Sequence, residues 1–264
     1  MRENRIRSIW KAGGAVVNGW LAIPNGFSAE TMAHQGFDSL VIDMQHGVID
    51  YQAAVNMLTA ISTTNTVPVV RVPWLEPGIL MKMLDAGAYA LICPMVNNRS
   101  DAEKLVAYTH YAPRGTRSFG PVRALLYGGP DYFEHADDTV VRFAMIETRE
   151  ALDNLDDILS VKGIDAIYIG PGDLSVALGC KPTFDDVEKP VAEAIDHILA
   201  RAKAHGVVAG IHNGSPEYAL ERIKKGFQFV TISSDARLMA AGAQQLIGKM
   251  RAGVTPTVGG SSSY

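Results

Sequence analysis

Cysteine is nearly missing from this chain: Cys93 and Cys180 are the only two in 264 residues, and neither belongs to a paired metal-binding motif. That argues against a disulfide scaffold and fits a disulfide-free cytoplasmic protein. Cys93 falls inside Ala90-Leu91-Ile92-Cys93, where a buried structural thiol is expected. An excess of one charge is missing too. The 24 Lys and Arg against 28 Asp and Glu leave a net charge of -4, without the basic surplus of a nucleic-acid binder. No apolar run comes near the roughly 20 residues of a membrane span. Met1–Lys11 is basic and amphipathic but lacks the apolar middle of a signal peptide. No Pro/Ser/Gly-rich linker parts the chain, and no Gly-rich dinucleotide fingerprint follows the first apolar run.

What is present is an alternation. Short apolar runs read as strands at Gly14–Leu21, Ser39–Asp43, Pro68–Val72, Ala90–Pro94, Arg142–Glu147, Ala166–Ile169, Val207–Ile211 and Phe229–Ile232. Amphipathic segments between them read as helices at Ala53–Ser62, Gly78–Ala86, Ala102–Thr109, Ala151–Leu159, Val187–Ala204 and Glu217–Lys225. Strands alternating with helices predict a parallel sheet with helical crossovers. Eight strands in a chain near the usual length of roughly 250 residues predict an α/β protein with one closed (β/α)8 TIM barrel, spanning residues 1–252 and followed by a flexible tail, 253–264. Gly36, Gly87, Gly163, Gly206 and Gly226 each stand between a helix and the next strand, as helix-terminating caps do. Tyr111–Asp138, rich in Gly and Pro and carrying Arg114, Arg117 and Arg123, reads as a long loop of functional or oligomeric use.

The polar residues collect at the C-terminal ends of the predicted strands, which meet at one mouth of such a barrel. Asp43 and His46 follow the second, Arg71 ends the third, Glu147 ends the fifth, and Asp173 lies just past the sixth. Glu147 and Asp173 together form a minimal oxygen site for a hard divalent cation, Mg²⁺ or Mn²⁺. Alternatively Glu147 pairs with Arg149, and Asp173 caps the helix beginning at Leu174. His46 can serve as a general base near neutral pH, and Asp85 is a candidate to orient it. Arg71, inside an apolar strand, needs a partner because an unpaired buried charge is costly. It either closes an internal ion pair or faces the mouth to meet substrate oxygens. Trp20 and Asn18 could line the pocket or simply pack. No predicted strand core holds a lysine for Schiff-base chemistry, since Lys162 and Lys224–Lys225 precede strands at the wrong face. Carbanion chemistry here would need a metal as its electron sink.

The runs Gly36-Phe37-Asp38-Ser39-Leu40-Val41-Ile42-Asp43-Met44-Gln45-His46-Gly47, Val70-Arg71-Val72-Pro73, Leu84-Asp85-Ala86-Gly87-Ala88, Pro94-Met95-Val96, Ile146-Glu147-Thr148-Arg149 and Ile169-Gly170-Pro171-Gly172-Asp173-Leu174-Ser175 resemble the HpcH/HpaI aldolase family, in order, from about Gly19 to Ala240 and including Ser234-Asp235. The resemblance implies a pyruvate-aldolase barrel whose last helix swaps between subunits of a hexamer. It implies a divalent metal (Mg²⁺ or Mn²⁺, with Co²⁺ or Zn²⁺ admissible) on Glu147 and Asp173, chelated in turn by a 2-oxo acid. It further implies Arg71 at the enolate oxygen and His46 as acid/base, oriented by Asp85. The donor carboxylate would lie at Gly172 and Asp173, with Trp20 shaping the pocket. Two positions depart from the family pattern. Gln45 replaces a frequent Glu, and Met145 replaces a Gln two residues before the metal Glu, which bears on donor preference and makes hydroxypyruvate a candidate donor beside pyruvate.

The expected function is therefore a class II aldolase that splits a 4-hydroxy-2-oxo acid into pyruvate or hydroxypyruvate and an aldehyde. Its partners would be small molecules and further copies of itself. A CoA-ester lyase of the citrate-lyase β type is the alternative that Arg114, Arg117 and Arg123 keep open, and a non-catalytic oxo-acid-binding barrel is the other.

Overall fold

The computed structural model describes residues 1–254; of the expected tail, 255–264 lie outside the described residues. Eight strands, β1 (Val16–Leu21), β2 (Ser39–Asp43), β3 (Val67–Arg71), β4 (Ala90–Cys93), β5 (Val141–Ile146), β6 (Ala166–Ile169), β7 (Val208–Asn213) and β8 (Phe229–Ser234), pair in sequence order into a closed barrel. All pairs are parallel, and β8 closes the ring on β1. Each expected strand is present, its ends within two residues of the reading.

Two apolar clusters follow from the two-residue period of a strand. Leu40, Ile42, Val70, Leu91, Ala144 and Ile167 face outward and pack under the helices. Val41, Val69, Ile92, Phe143, Tyr168 and Phe229 face inward and fill the barrel. Phe143 meets Phe229 at 4.7 Å between ring centroids, so the interior is a packed core rather than a channel. The helix Arg5–Lys11 closes the N-terminal end: Ile6 is buried, and Trp10 lies edge-on to Phe143 at 5.8 Å. That accounts for the amphipathic character of Met1–Lys11.

Helices run over Tyr51–Ile61, Pro77–Asp85, Arg99–Thr109, Lys189–His205 and Pro216–Lys225. The expected Ala151–Leu159 is two short helices, Arg149–Asp153 and Leu155–Leu159, meeting at Asn154. All five glycines between helices and strands have positive φ, between 70° and 113°. The 111–138 segment is not a loop throughout. It contains the helices Val122–Gly128 and Tyr132–Thr139, and its arginines are tied down: Arg114 to Asp138, Arg117 to Asp85, and Arg123 to the carbonyls of Ala86 and Leu58.

The last described helix, Asp235–Ala252, buries only Asp235. Leu238, Met239, Leu246, Ile247 and Met250 are between 45% and 65% exposed. Among the described residues no helix is long and apolar enough to cross a membrane.

Candidate active site

The inward row of each strand has a last member, and those last members form the mouth. Asp43, Arg71, Met145, Tyr168 and His212, with Trp20, line a cavity of about 480 Å³ at the C-terminal end of the barrel. Loops just beyond the strands add His46, Gly170, Gly172, Asp173 and Ser233, and Phe184 and Arg237 stand in the same wall.

Register sets the central pair. Asp43 and Arg71 sit directly opposite one another on β2 and β3. The Arg71 guanidinium grips the carboxylate with two N–H donors, Nε to Oδ1 at 2.8 Å and a terminal nitrogen to Oδ2 at 2.6 Å. Trp20 Nε1–H donates to the same carboxylate at 3.1 Å, as do the backbone amides of Gln45 and His46 at 3.1 and 3.3 Å. Burial would raise the Asp43 carboxyl, but the hydrogen bonds and charge of Arg71, helped by Trp20 and the His46 amide, hold it below the ordinary carboxylate value. Arg71 also lies over the Trp20 ring at 4.8 Å. It thus does both things its sequence position allowed: it closes an ion pair and it faces the mouth.

The loop after β2 can fold over Asp43 only because residue 47 is glycine. A Cβ there would lie 2.2 Å from the Asp43 carbonyl oxygen. The turn sets His46 on the cavity wall, and no hydrogen bond from its own chain holds the ring among the described residues.

Glu147 is buried just past β5, and its Oε1 accepts the Met95 amide at 2.9 Å. Met95 reaches it by adopting φ 56°, a left-handed conformation that a non-glycine residue rarely takes. Glu147 Oε2 lies where any side chain at Gly170 would stand, 2.9 Å from a Cβ built there. Burial pushes the Glu147 carboxyl up to about 7; the Met95 amide and Arg71 oppose this, and the Asp173 charge adds to it. No ion pair with Arg149 forms. Asp173 does not cap its helix either: the cap residue is Gly170, with no side-chain cap bond, and the carboxylate lines the cavity.

Two carboxylates, one hydrogen-bonded through a single oxygen and one exposed, suit a hard cation that takes its other ligands from substrate or water. Among the described residues no group of three His, Cys, Asp or Glu side chains could hold a metal alone.

Residues 18–241 match the HpcH/HpaI aldolase/citrate lyase family. The chain is 46% identical, over 94% of its length and 99% of the relative's, to a hydroxypyruvate/pyruvate aldolase of Rhizorhabdus wittichii. It is 37% identical, over 98% of both chains, to a 4-hydroxy-2-oxo-heptane-1,7-dioate aldolase of Salmonella paratyphi C. The chain belongs to the HpcH/HpaI aldolase/citrate lyase family. A solved family protein from Burkholderia cenocepacia superposes with a TM-score of 0.88 at 29% identity, over 95% of this chain and all of that one.

Of the HpcH/HpaI site residues expected from the sequence, Trp20, His46, Arg71, Gly172 and Asp173 line one cavity, with Glu147 one layer behind its wall beside Gly170. Asp85 is not among them. It ends the helix after β3, at the N-terminal side of the barrel, where Arg117 donates to it at 2.7 Å. Burial raises the Asp85 carboxyl and Arg117 opposes the rise. Asp85 of the same chain therefore does not orient His46. Asn18 is fully buried and takes no part in the wall.

Tyr168, His212, Phe184 and Arg237 were missed. The signal for His212 was present: Ile211-His212-Asn213 continues the seventh strand, and the rule that found Asp43 applies to it unchanged. Burial and the charges of Arg71 and Arg237, outweighing Asp43, lower the His212 imidazole to about 3, so it is neutral at physiological pH.

Proposed function

We propose that this chain is a metal-assisted carbon–carbon lyase that cleaves a 4-hydroxy-2-oxo acid to pyruvate or hydroxypyruvate and an aldehyde, and adds them in reverse. The observation that carries the reading is the convergence of Arg71, His46 and Asp173 on one cavity, with Glu147 just behind its wall beside Gly170 and Arg71 fixed by Asp43. Glu147 and Asp173 would hold the divalent cation, whose chemistry is to neutralise negative charge on the oxo-acid oxygens.

In cleavage a base takes the proton of the 4-hydroxyl, the C3–C4 bond breaks, and its electron pair moves into the enolate of the donor. The aldehyde leaves, and C3 regains a proton. His46 is the base this site offers, because the other imidazole, His212, holds a proton too weakly. Arg71 is pre-aimed at the enolate oxygen, since Asp43 and Trp20 set its orientation before substrate arrives. Met145 lines the donor side with a thioether that offers the donor no N–H, which is consistent with use of hydroxypyruvate as well as pyruvate. The arginines that would have favoured a CoA ester are spent on intrachain bonds.

The active species is a homo-oligomer, with a hexamer the assembly that the family implies. The last helix buries one of its 18 residues in its own chain; helices in proteins draw most of their stability from packing an apolar face, so its apolar side chains call for a second copy. Asp85 can serve His46 only across such a subunit boundary.

The test is turnover of a 4-hydroxy-2-oxo acid by metal-stripped protein before and after Mg²⁺ or Mn²⁺ is added. Restored cleavage is expected. Equal turnover without metal would refute the Glu147/Asp173 site, and no turnover in either state would refute the lyase.

A further inference from the structure

The loop 179–188, between the helices Pro171–Ala177 and Lys189–His205, carries two members of the cavity wall, Pro182 and Phe184. One side chain ties it across to the end of β7. Asp185 Oδ1 accepts the Gly214 amide at 2.8 Å, and Asp185 Oδ2 accepts the Ser215 hydroxyl at 2.6 Å. Among the described residues no other hydrogen bond reaches from this loop to β7, β8 or the helices that follow them.

The receiving side is shaped for that carboxylate. Ser215 caps the helix Pro216–Lys225, and its Oγ accepts the Tyr218 amide at 3.3 Å, which leaves the hydroxyl proton to donate to Asp185. A Cβ at residue 214 would stand 3.2 Å from Asp185 Oδ2, so glycine gives the carboxylate its room. The loop also holds its own shape. Thr183 Oγ donates to the Asp185 carbonyl at 2.6 Å, and the Lys181 amide donates to Glu188 Oε1 at 2.8 Å. Asp186 turns the chain away straight after the tether at φ 49°, a left-handed conformation rare outside glycine, and Gly179 bends the other end at φ 75°. A loop that is internally bonded and externally tied at one point is placed as a unit by that point.

Phe184 directly precedes the tether and is half-buried. Its ring centroid is 4.8 Å from that of His212 and 4.7 Å from the Arg237 guanidinium above it. Its Cε1 lies 3.8 Å from the position a Cβ would take at Gly172. Under the aldolase reading the donor carboxylate lies at Gly172 and Asp173, so this ring closes the donor end of the cavity. An apolar cover there keeps water from the charges it borders, which strengthens their attraction.

We propose that Asp185 latches the 179–188 loop over the cavity, and that Phe184, held by this latch, sets the affinity for the oxo-acid donor by shutting water out beside Gly172. Asp185 is a positioning residue, acting through Phe184. The proposal rests on the aldolase reading for what occupies the cavity, but not for the latch.

The experiment measures pyruvate addition to propanal by the full chain with Mg²⁺, in wild type, Asp185→Ala, Asp185→Asn, Phe184→Ala and the double alanine variant. Apparent affinity falls in proportion to the fraction of molecules with the wall in place, so each alanine variant is expected to raise KM for pyruvate about tenfold, through KM rather than kcat. The double variant should be no worse than either single one, because both remove the same wall. Asp185→Asn keeps a carbonyl oxygen for the Gly214 amide and should stay within about threefold of wild type. A merely structural role would lower kcat through a smaller folded fraction and leave KM alone. That result, or a double variant whose effects add, overturns the proposal. Hydrogen exchange reads the latch without turnover: peptides covering 179–188 and Gly214 should exchange faster in Asp185→Ala, and equal exchange overturns the latch. Calorimetric titration of the Mg²⁺-loaded protein with pyruvate covers the case in which no aldehyde reacts. Binding that weakens about tenfold in Asp185→Ala upholds the latched wall while the lyase reading falls. Equal binding in the two proteins, or none by wild type, overturns the wall as well.

Discussion

Replacing Arg71 by Met separates what the Asp43–Arg71 pair does for folding from what it does for chemistry. The two side chains are 4% and 10% exposed, and the bond is bidentate. Removing the guanidinium leaves a buried carboxylate with only Trp20 and the amides of Gln45 and His46 as donors. Breaking a buried pair from one side costs about 3–5 kcal/mol. The three remaining donors and access to the cavity put this case at the lower end, about 3 kcal/mol. Adding Asp43→Asn removes the stranded charge, so the double variant should regain about half of that loss. Activity should behave differently. The single variant should lose roughly 10²–10³-fold in kcat, as expected when a fixed donor to a developing oxyanion is removed, and the double variant should regain none of it. Urea unfolding followed by Trp fluorescence at one fixed protein concentration gives the stabilities, and aldehyde release gives the rates. If Arg71→Met is as stable as wild type within about 1 kcal/mol, the pair is not the buried, charge-balanced unit described. If the double variant recovers turnover, Arg71 does not act on the substrate.

Three further outcomes are expected. The folded His212 imidazole has its proton affinity lowered from an ordinary value of 6.5 to about 3. Below pH 6.5 the unfolded chain takes up a proton that the folded chain refuses, so stability falls as pH drops toward 3, with a slope of up to about 1.4 kcal/mol per pH unit from this group; in His212→Asn that part of the slope, measured by urea unfolding between pH 7 and 5, should vanish. Gly47→Ala forces a Cβ to within 2.2 Å of the Asp43 carbonyl, and should lower the unfolding midpoint by an amount equivalent to about 2–4 kcal/mol while disturbing His46. Leu246→Glu with Ile247→Glu places charge on the exposed apolar face of the last helix, and light scattering should show the assembly falling to smaller species; an unchanged mass would mean that this face is not an interface.

The barrel was legible because its signals are local. Apolar runs of strand length and glycines past helix ends report the pleat and the caps directly, and all eight strands and five caps are where they indicate. The 111–138 segment reads as a loop because Val122–Gly128 has no capping side chain and keeps Val122, Leu125 and Leu126 exposed, so it lacks the one-sided pattern that marks a helix. The site was legible as far as strand ends were. Asp43 and Arg71 each stand at a strand end in the sequence, but their pairing depends on β2–β3 register, which no single strand encodes. His212 lies one residue past Ile211, where the apolar run that marks the seventh strand ends. Arg237 lies on a helix that begins straight after β8, and nothing in its neighbours Ala236 and Leu238 announces a cavity. Asp85 came from resemblance alone. Its partner, Arg117, lies in the 111–138 segment whose local structure was not resolved from sequence.

The helix Asp235–Ala252 has one end in each of two roles. Its first turn belongs to the pocket, with Asp235 holding the amides after β1 and Arg237 on the cavity wall. The remaining turns bury nothing in a single chain. In the proposed homo-oligomer, a wall anchored to a helix that a second subunit covers inherits the concentration dependence of assembly. Dilution would then loosen this wall and withdraw from His46 an Asp85 supplied across the boundary, so turnover would fall as the assembly came apart. Turnover per subunit measured against enzyme concentration then becomes a readout of quaternary structure.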